Sequence, residues 1–178
     1  LFAGTWIHQH PTKGQGKYLI LGFNFSGIDP HPNKLEHSFE KHITIILNDF
    51  IQKYTSFLKK DFTLELSHYK DSYSKLHFIL TYFKRTEYKL YIMIDEYDNF
   101  ANTILSTHGE KQYQAVTHGE GFLRLFFNIL KQGTTSAGAG IARLFITGVS
   151  PLVMDDVTSG FNIGKNISLD PRFNNMIG

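Results

Sequence analysis

Leu90-Tyr-Ile-Met-Ile-Asp-Glu-Tyr-Asp-Asn99 opens with five uncharged, mostly apolar residues and runs without a break into three carboxylates, Asp95, Glu96 and Asp98. A strand with one wet face alternates polar and apolar residues, whereas a continuous apolar run marks a parallel strand buried on both faces. The acids begin where that strand should end, at the carboxyl edge of a sheet, which is where open α/β proteins place their ligands. This is the form of a Walker B segment. In nucleoside-triphosphate hydrolases built this way the first acid holds Mg²⁺, usually through water, and a following Glu polarises the attacking water. Asp95 and Glu96 fit those two positions. The structural alternative is that strand-end acids simply face solvent.

The whole chain is compatible with such a sheet. At 178 residues it has the length of one domain with a sizeable core. Hydrophobic residues at 42% against 19% charged exclude a disordered chain. A net charge of +2 makes no case for a polyanionic partner. The lack of cysteine excludes disulfides, thiolate zinc sites and thiol catalysis, and suits a reducing cytoplasm. No run approaches the roughly 18 apolar residues of a membrane span, and the amino terminus lacks a secretory pattern. A cytoplasmic chain with no membrane contact is expected. It begins at Leu1 without a methionine and stops at Met176-Ile177-Gly178, which reads as a fragment cut at both ends.

Tyr18-Leu-Ile-Leu-Gly-Phe-Asn-Phe25 reads as a second buried strand, ended by Ser26-Gly27, and Leu144-Phe145-Ile146 as a third, ended by Thr147-Gly148. Strands are thus expected near 18–25, 89–94 and 143–147, with a short fourth around 166–169. Apolar positions spaced from Leu35 to Leu58 predict a long amphipathic helix near 35–58, capped by Asn33 with Glu36. Further helices are expected from Ser72 to Lys84, starting near Asp71, and over 122–130, with Gly133 as a stop. Strands alternating with helices imply a mainly parallel sheet covered on both faces. The tetrapeptide Thr-His-Gly-Glu occurs at 107–110 and again at 117–120, too few copies for a solenoid.

Several short motifs fail on inspection. Gly14-Gln15-Gly16-Lys17 is not a phosphate loop, since Pro11 stands at the first glycine, Tyr18 replaces Ser or Thr, and a strand follows instead of a helix. His118-Gly119-Glu120 lacks the cysteine pair of a zinc deaminase. Gly148-Val149-Ser150-Pro151-Leu152 lacks the last glycine of a nucleophile elbow. No His pair has zinc-protease spacing. Thr147 is different: it ends the strand expected beside the Walker-like one, where its hydroxyl could reach a γ-phosphate or the attacking water as a sensor does; the structural alternative is that β-branched polar residues are common at strand ends.

Taken together, Ile94-Asp95-Glu96-Tyr97-Asp98, Gly121-Phe122, Phe145-Ile146-Thr147-Gly148-Val149-Ser150-Pro151, Ser159-Gly160-Phe161-Asn162-Ile163 and Leu169-Asp170-Pro171-Arg172-Phe173 resemble the bacterial AAA-ATPase-like family. The opening Leu1-Phe2-Ala3-Gly4-Thr5-Trp6-Ile7 and Phe23-Asn24-Phe25-Ser26-Gly27-Ile28 share the resemblance, which spans nearly the whole chain. It implies a phosphate-binding loop upstream of Leu1 and, in many members, a nuclease domain downstream in cis, and hence nucleic acid as a partner. What transfers onto this chain is Asp95 as the Mg²⁺ ligand, Glu96 for water activation, Thr147 as sensor, and Asp98 as part of the same nucleotide-binding motif.

The expected fold is a three-layer α/β sheet of P-loop type, incomplete over residues 1–178 because the phosphate-loop strand and helix are missing. In the usual strand order that strand lies between the one ending at Thr147 and the short one near Asn166, so a gapped or abnormally closed sheet is expected. The expected function is the Mg²⁺- and ATP-dependent hydrolytic core of an AAA-ATPase-like protein. The alternative is a non-catalytic interaction or regulatory module whose acids are relics. A metal-dependent nuclease using Asp95, Glu96 and Asp98 is disfavoured, since no Lys or further acid stands at a recognisable spacing.

Overall fold

The computed structural model describes residues 3–118, 121–135, 138–149 and 164–173. Outside them lie residues 1 and 2 of the opening segment, 119 and 120 of the second Thr-His-Gly-Glu copy, and residues 136 and 137. Residues 150–152 of the elbow-like stretch and 159–163 of the family pattern lie outside as well.

Three strands, β1 (Tyr18–Asn24), β2 (Lys89–Asp95) and β3 (Ile141–Ile146), pair in parallel in that order, so the acid-tipped strand is central. Parallel neighbours require long crossovers. After a short helix α1 (Trp6–Gln9) that precedes β1, the first crossover passes through α2 (Leu35–Lys53), α3 (Phe62–Ser67) and α4 (Ser72–Lys84); the second through α5 (Asn99–His108), α6 (Glu110–Thr117) and α7 (Phe122–Thr134). Successive side chains of a strand point to opposite faces. Leu19, Leu21 and Phe23, with the paired Leu90, Ile92 and Ile94, are buried on one face. On the other, Ile20 and Tyr91 are half-buried and Met93 is 41% exposed. The parallel α/β architecture is as expected and compatible with an incomplete three-layer fold, but the expected cover on both faces is not seen among the described residues, where burial is concentrated on one.

A cluster of phenylalanines holds the carboxyl end of the sheet against the helices. Phe23 and Phe25 flank Asn24, and Phe39 of α2, Phe100 of α5, and Phe122 and Phe126 of α7 close over them. Phe39 lies 4.9 Å from Phe122 and 5.6 Å from Phe126, and Phe25 lies 5.3 Å from Phe39, ring centre to ring centre. Burying each such side chain is worth about 1.5–3 kcal/mol, and tilted or edge-on ring pairs add about 0.5–1.5 kcal/mol. The rigid aromatic floor therefore lies directly beneath the strand ends that carry Asn24 and Asp95.

Some element boundaries differ from the sequence expectation for local reasons. β1 stops at Asn24 because that side chain accepts from the Ser26 amide at 2.9 Å and starts a 3₁₀ turn at Phe25. β3 spans Ile141–Ile146 instead of 143–147, and Thr147 follows it directly. Helix α2 has no Asn33 cap: the residue before it is Lys34, which makes no side-chain cap, and the amides of Lys34 and Leu35 both donate to the His31 carbonyl. It ends at Lys53 rather than near 58. The Thr55 hydroxyl bonds the Ile51 and Gln52 carbonyls, and the Tyr54 hydroxyl accepts the Ile20 amide on the outer edge of β1. Helix α4 matches in full, with Asp71 accepting from the Ser74 amide at 2.8 Å.

Gly133 does not stop α7, which continues to Thr134; it sits where an added Cβ would press on Ile141 Cδ1 at 2.8 Å. The fourth strand expected at 166–169 is not one. There Asn166 accepts from the Ser168 amide and Asp170 from the Arg172 amide, so side chains close turns that lead into a 3₁₀ turn over Pro171–Phe173.

Candidate functional site

Each strand ends in one polar residue at the same edge: Asn24 closes β1, Asp95 closes β2, and Thr147 follows β3. The parallel register sets Asn24 opposite Asp95, and Ile94 opposite Ile146, which brings Thr147 beside Asp95. The Thr147 hydroxyl donates to Asp95 Oδ1 at 2.5 Å, and Asn24 Nδ2 donates to Asp95 Oδ2 at 3.2 Å. The Glu96 amide adds a third bond to Oδ1 at 3.1 Å. Sheet pairing therefore aims the Asp95 carboxylate. The expected edge placement of Asp95 and Thr147 is what the geometry displays.

Asn24 is itself held. Its Oδ1 accepts from the Ser26 amide, which fixes the amide orientation, and its carbonyl accepts from His42 Nε2 of α2 at 2.7 Å. Sequence reading did not single out Asn24 or His42. The signal for Asn24 was present, because it is the first polar residue after an apolar run, as Asp95 and Thr147 are. The cross-strand register that gives it meaning is not written in any one segment.

Glu96 turns the chain out of β2 with φ of 52°, alone among the described non-glycine residues in having positive φ. For a residue with a Cβ this conformation costs about 1–2 kcal/mol, and such strain clusters at functional positions. Glu96 is exposed and, with Asn99, Asn102, Thr103 and Ser106, lines an open cleft of about 320 Å³ along the first turns of α5.

Asp98 is placed differently from its neighbours. Its side chain is fully buried. Both of its oxygens accept from the Val149 amide at 3.1 Å, and Oδ2 also accepts from Asn102 Nδ2 at 2.8 Å. The chain passing over it needs a glycine: a Cβ on Gly148 would stand 2.3 Å from the Tyr97 ring and 2.5 Å from Asp98 Oδ1.

Residues 14–17 and the two Thr-His pairs have plain structural roles. Residues 14–17 form turns that feed β1, with the Lys17 amide donating to the Gly14 carbonyl. In both Thr-His-Gly-Glu copies the Thr hydroxyl donates to the carbonyl four residues back, Thr107 to Thr103 and Thr117 to Tyr113. Each hydroxyl also meets Nδ1 of the following His, at 2.6 Å for His108 and 2.8 Å for His118. The Thr-His pair is thus a helix ending, used once for α5 and once for α6.

Among the described residues no group of three or more His, Asp or Glu is arranged to hold a metal. Asp95, with the Thr147 hydroxyl beside it, is the carboxylate at this edge that could hold a hydrated cation.

A parallel α/β sheet with an acid-tipped central strand, and a polar residue at the same edge of both neighbours, fits the class of incomplete P-loop-like domains. The chain belongs to the AAA-ATPase-like family described as "Predicted AAA-ATPase", whose family pattern matches residues 1–158. No curated protein and no solved structure matches the chain. Among the described residues no helix is long and apolar enough to cross a membrane.

Proposed function

We propose that this domain hydrolyses ATP with Mg²⁺ in the intact protein, Asp95 serving as the metal's carboxylate, Glu96 as the group that polarises the attacking water, and Thr147 as the sensor hydroxyl. The observation that carries this reading is the two-sided hold on Asp95 by Asn24 and Thr147. An ionised carboxylate offers about four lone-pair directions. Thr147 and the Glu96 amide take those of Oδ1 and Asn24 takes one on Oδ2, which leaves a direction on Oδ2 for a cation or its water.

When bound, Mg²⁺ neutralises charge developing on the transferred phosphoryl oxygens. The chain's own residues do the rest. Asp95 fixes the cation's position without moving, since both neighbouring strands hold it. Glu96, exposed on the cleft, orients water and accepts its proton. Thr147 lies half-buried beside Asp95, its hydroxyl already oriented by that carboxylate.

Phosphate affinity in such enzymes comes mainly from backbone amides and a Lys of a glycine-rich loop, and residues 14–17 do not supply it. Residues 1–178 on their own therefore bind ATP weakly or not at all. Micromolar binding by calorimetry would contradict this. A nuclease domain in cis, and through it nucleic acid, is a further proposal supported by the family resemblance alone.

The test of the main reading is phosphate release from ATP by the intact protein, with Mg²⁺ and after its chelation. Turnover that needs Mg²⁺ and is lost in Glu96→Gln supports it. Equal rates in parent and variant would replace it with the interaction-module alternative.

A further inference from the structure

We propose that Asp98 is a positioning residue, a buried latch that ties the segment after β3 to the turn after β2 so that Thr147 and Glu96 are held in one rigid frame. The nucleotide-binding motif places Asp98 beside Asp95 and Glu96, but the fold gives it another task. An acid at the head of a helix ordinarily caps its own first amides. Asp98 heads α5 and makes no such side-chain cap. Its carboxylate instead receives the amide of Val149, 51 residues further along the chain, through both oxygens.

Three consecutive residues of that segment are tied to the turn. The Thr147 carbonyl accepts from the Tyr97 amide at 3.2 Å. Gly148 lies against the Tyr97 ring and Asp98 with no space for a Cβ. Val149 turns its amide inward to Asp98 while its own surface is 92% exposed. A fully buried carboxylate is tolerable only when hydrogen-bonded, and bonds from backbone amides to an anion are among the stronger ones. Asn102, one turn into α5, fixes Oδ2 from the other side. A shift of the backbone that carried Thr147 away from Asp95 would therefore strain the Asp98 contact two residues later. The latch rests on geometry; its effect on turnover rests also on the hydrolytic reading above.

Hydrogen exchange of the Val149 amide in the intact protein tests the latch directly. Asp98→Asn keeps the shape and lowers the strength of the acceptor, and is expected to speed that exchange about tenfold while the amides of β2 stay protected. Asp98→Ala is expected to speed it further. If the alanine variant does not fold, Val149→Pro removes the same amide while leaving Asp98 unchanged, and its effect is read at the Tyr97 amide, which donates to the Thr147 carbonyl and should exchange faster; Val149→Ala, which keeps the N–H, retains slow exchange at both positions. Unchanged exchange in Asp98→Asn would overturn the latch.

Mn²⁺ binding followed by electron paramagnetic resonance separates positioning from ligation. Asp95→Asn should weaken it at least tenfold and Asp98→Asn less than twofold. Equal losses would make Asp98 a metal ligand and overturn the proposal. In ATP turnover, Val149→Pro should lower kcat at least tenfold with KM little changed, and a parental kcat would overturn the catalytic consequence. Should the parent itself fail to hydrolyse ATP, the hydrolytic reading falls while the exchange data still decide the latch.

Discussion

Thr147 and Asp95 stand 52 residues apart in the chain, and the hydroxyl of the first donates to the carboxylate of the second at 2.5 Å. A hydroxyl–carboxylate bond of this length belongs to the charge-assisted class, shorter and stronger than a neutral pair. It also crosses a strand boundary, so it reports on the register of β2 and β3 as well as on the acid itself.

Thr147→Val keeps the shape and removes the hydroxyl. Asp95, which is exposed, then loses one charge-assisted donor, which should cost about 1 kcal/mol and lower the melting temperature by about 2–4 °C. Calorimetry of parent and variant checks this, and Thr147→Ser should recover most of the loss. No difference in melting temperature for the valine variant would show that the bond contributes nothing.

Glu96→Gln should lower ATP hydrolysis by the intact protein about a hundredfold or more and leave ATP binding in place, because the amide holds the same volume but cannot polarise water or take its proton. Asp95→Asn should weaken Mg²⁺-dependent binding as well as turnover, since it removes charge from the metal's own shell. Paired binding and turnover measurements distinguish the two. A Glu96 variant that loses binding as strongly as turnover would remove its assignment as the water-activating group.

Glu96→Gly should do the opposite to stability. Its φ of 52° suits glycine, so relief of the left-handed strain, less the added chain entropy, should stabilise the fold by about 0.5–1 kcal/mol. Urea unfolding should show a higher midpoint with an unchanged slope, together with lost turnover. A lower midpoint would mean that the Glu96 side chain makes stabilising contacts in the folded state.

Asp71 gives a pH dependence with a definite sign. The Ser74 amide that it caps holds its carboxyl below the usual aspartate range. A folded-state pKa below the unfolded one adds stability above the unfolded pKa, and that stability fades as pH falls through the folded value. Asp71→Ala should therefore cost about 1 kcal/mol near neutrality. The gap between parent and variant should narrow once the pH drops below about 4. Urea unfolding across pH 2–7 checks it; a gap that widens in acid would contradict the cap.

Long apolar runs made the three strands legible, and β2 could be placed almost to the residue because its acids mark the edge. Helix α4 was equally legible, since Asp71 is a cap that acts alone. Residues 99–117 were not read as helices. Their polar stretches and the repeated Thr-His-Gly-Glu resemble loops, yet Phe100, Ala101 and Ile104 of α5 and Tyr113 and Val116 of α6 bury a narrow stripe. Residues 166–169 looked strand-like by composition, and the turn-forming Asn166 and Asp170 outweighed that. At the site, Asp95 and Thr147 could be found as strand ends. Asn24 carries the same mark, but an Asn ending a strand most often only opens a turn, and here it does that as well as reaching across to Asp95. Burial of Asp98 likewise depends on a segment 51 residues distant, which no local pattern encodes.

The hold on Asp95 also has a meaning in time. Its partners lie 71 residues before and 52 residues after it, each beyond a full crossover. Closing loops of that size is slow compared with forming a helix, and contacts so distant in sequence reward the chain only late in folding. The carboxyl edge is therefore among the last parts to assemble. A chain arrested after β1 meets β2, with β3 still undocked, would carry Asp95 with half of its cross-strand partners and leave the apolar edge of β2 unpaired, a template for association with other chains.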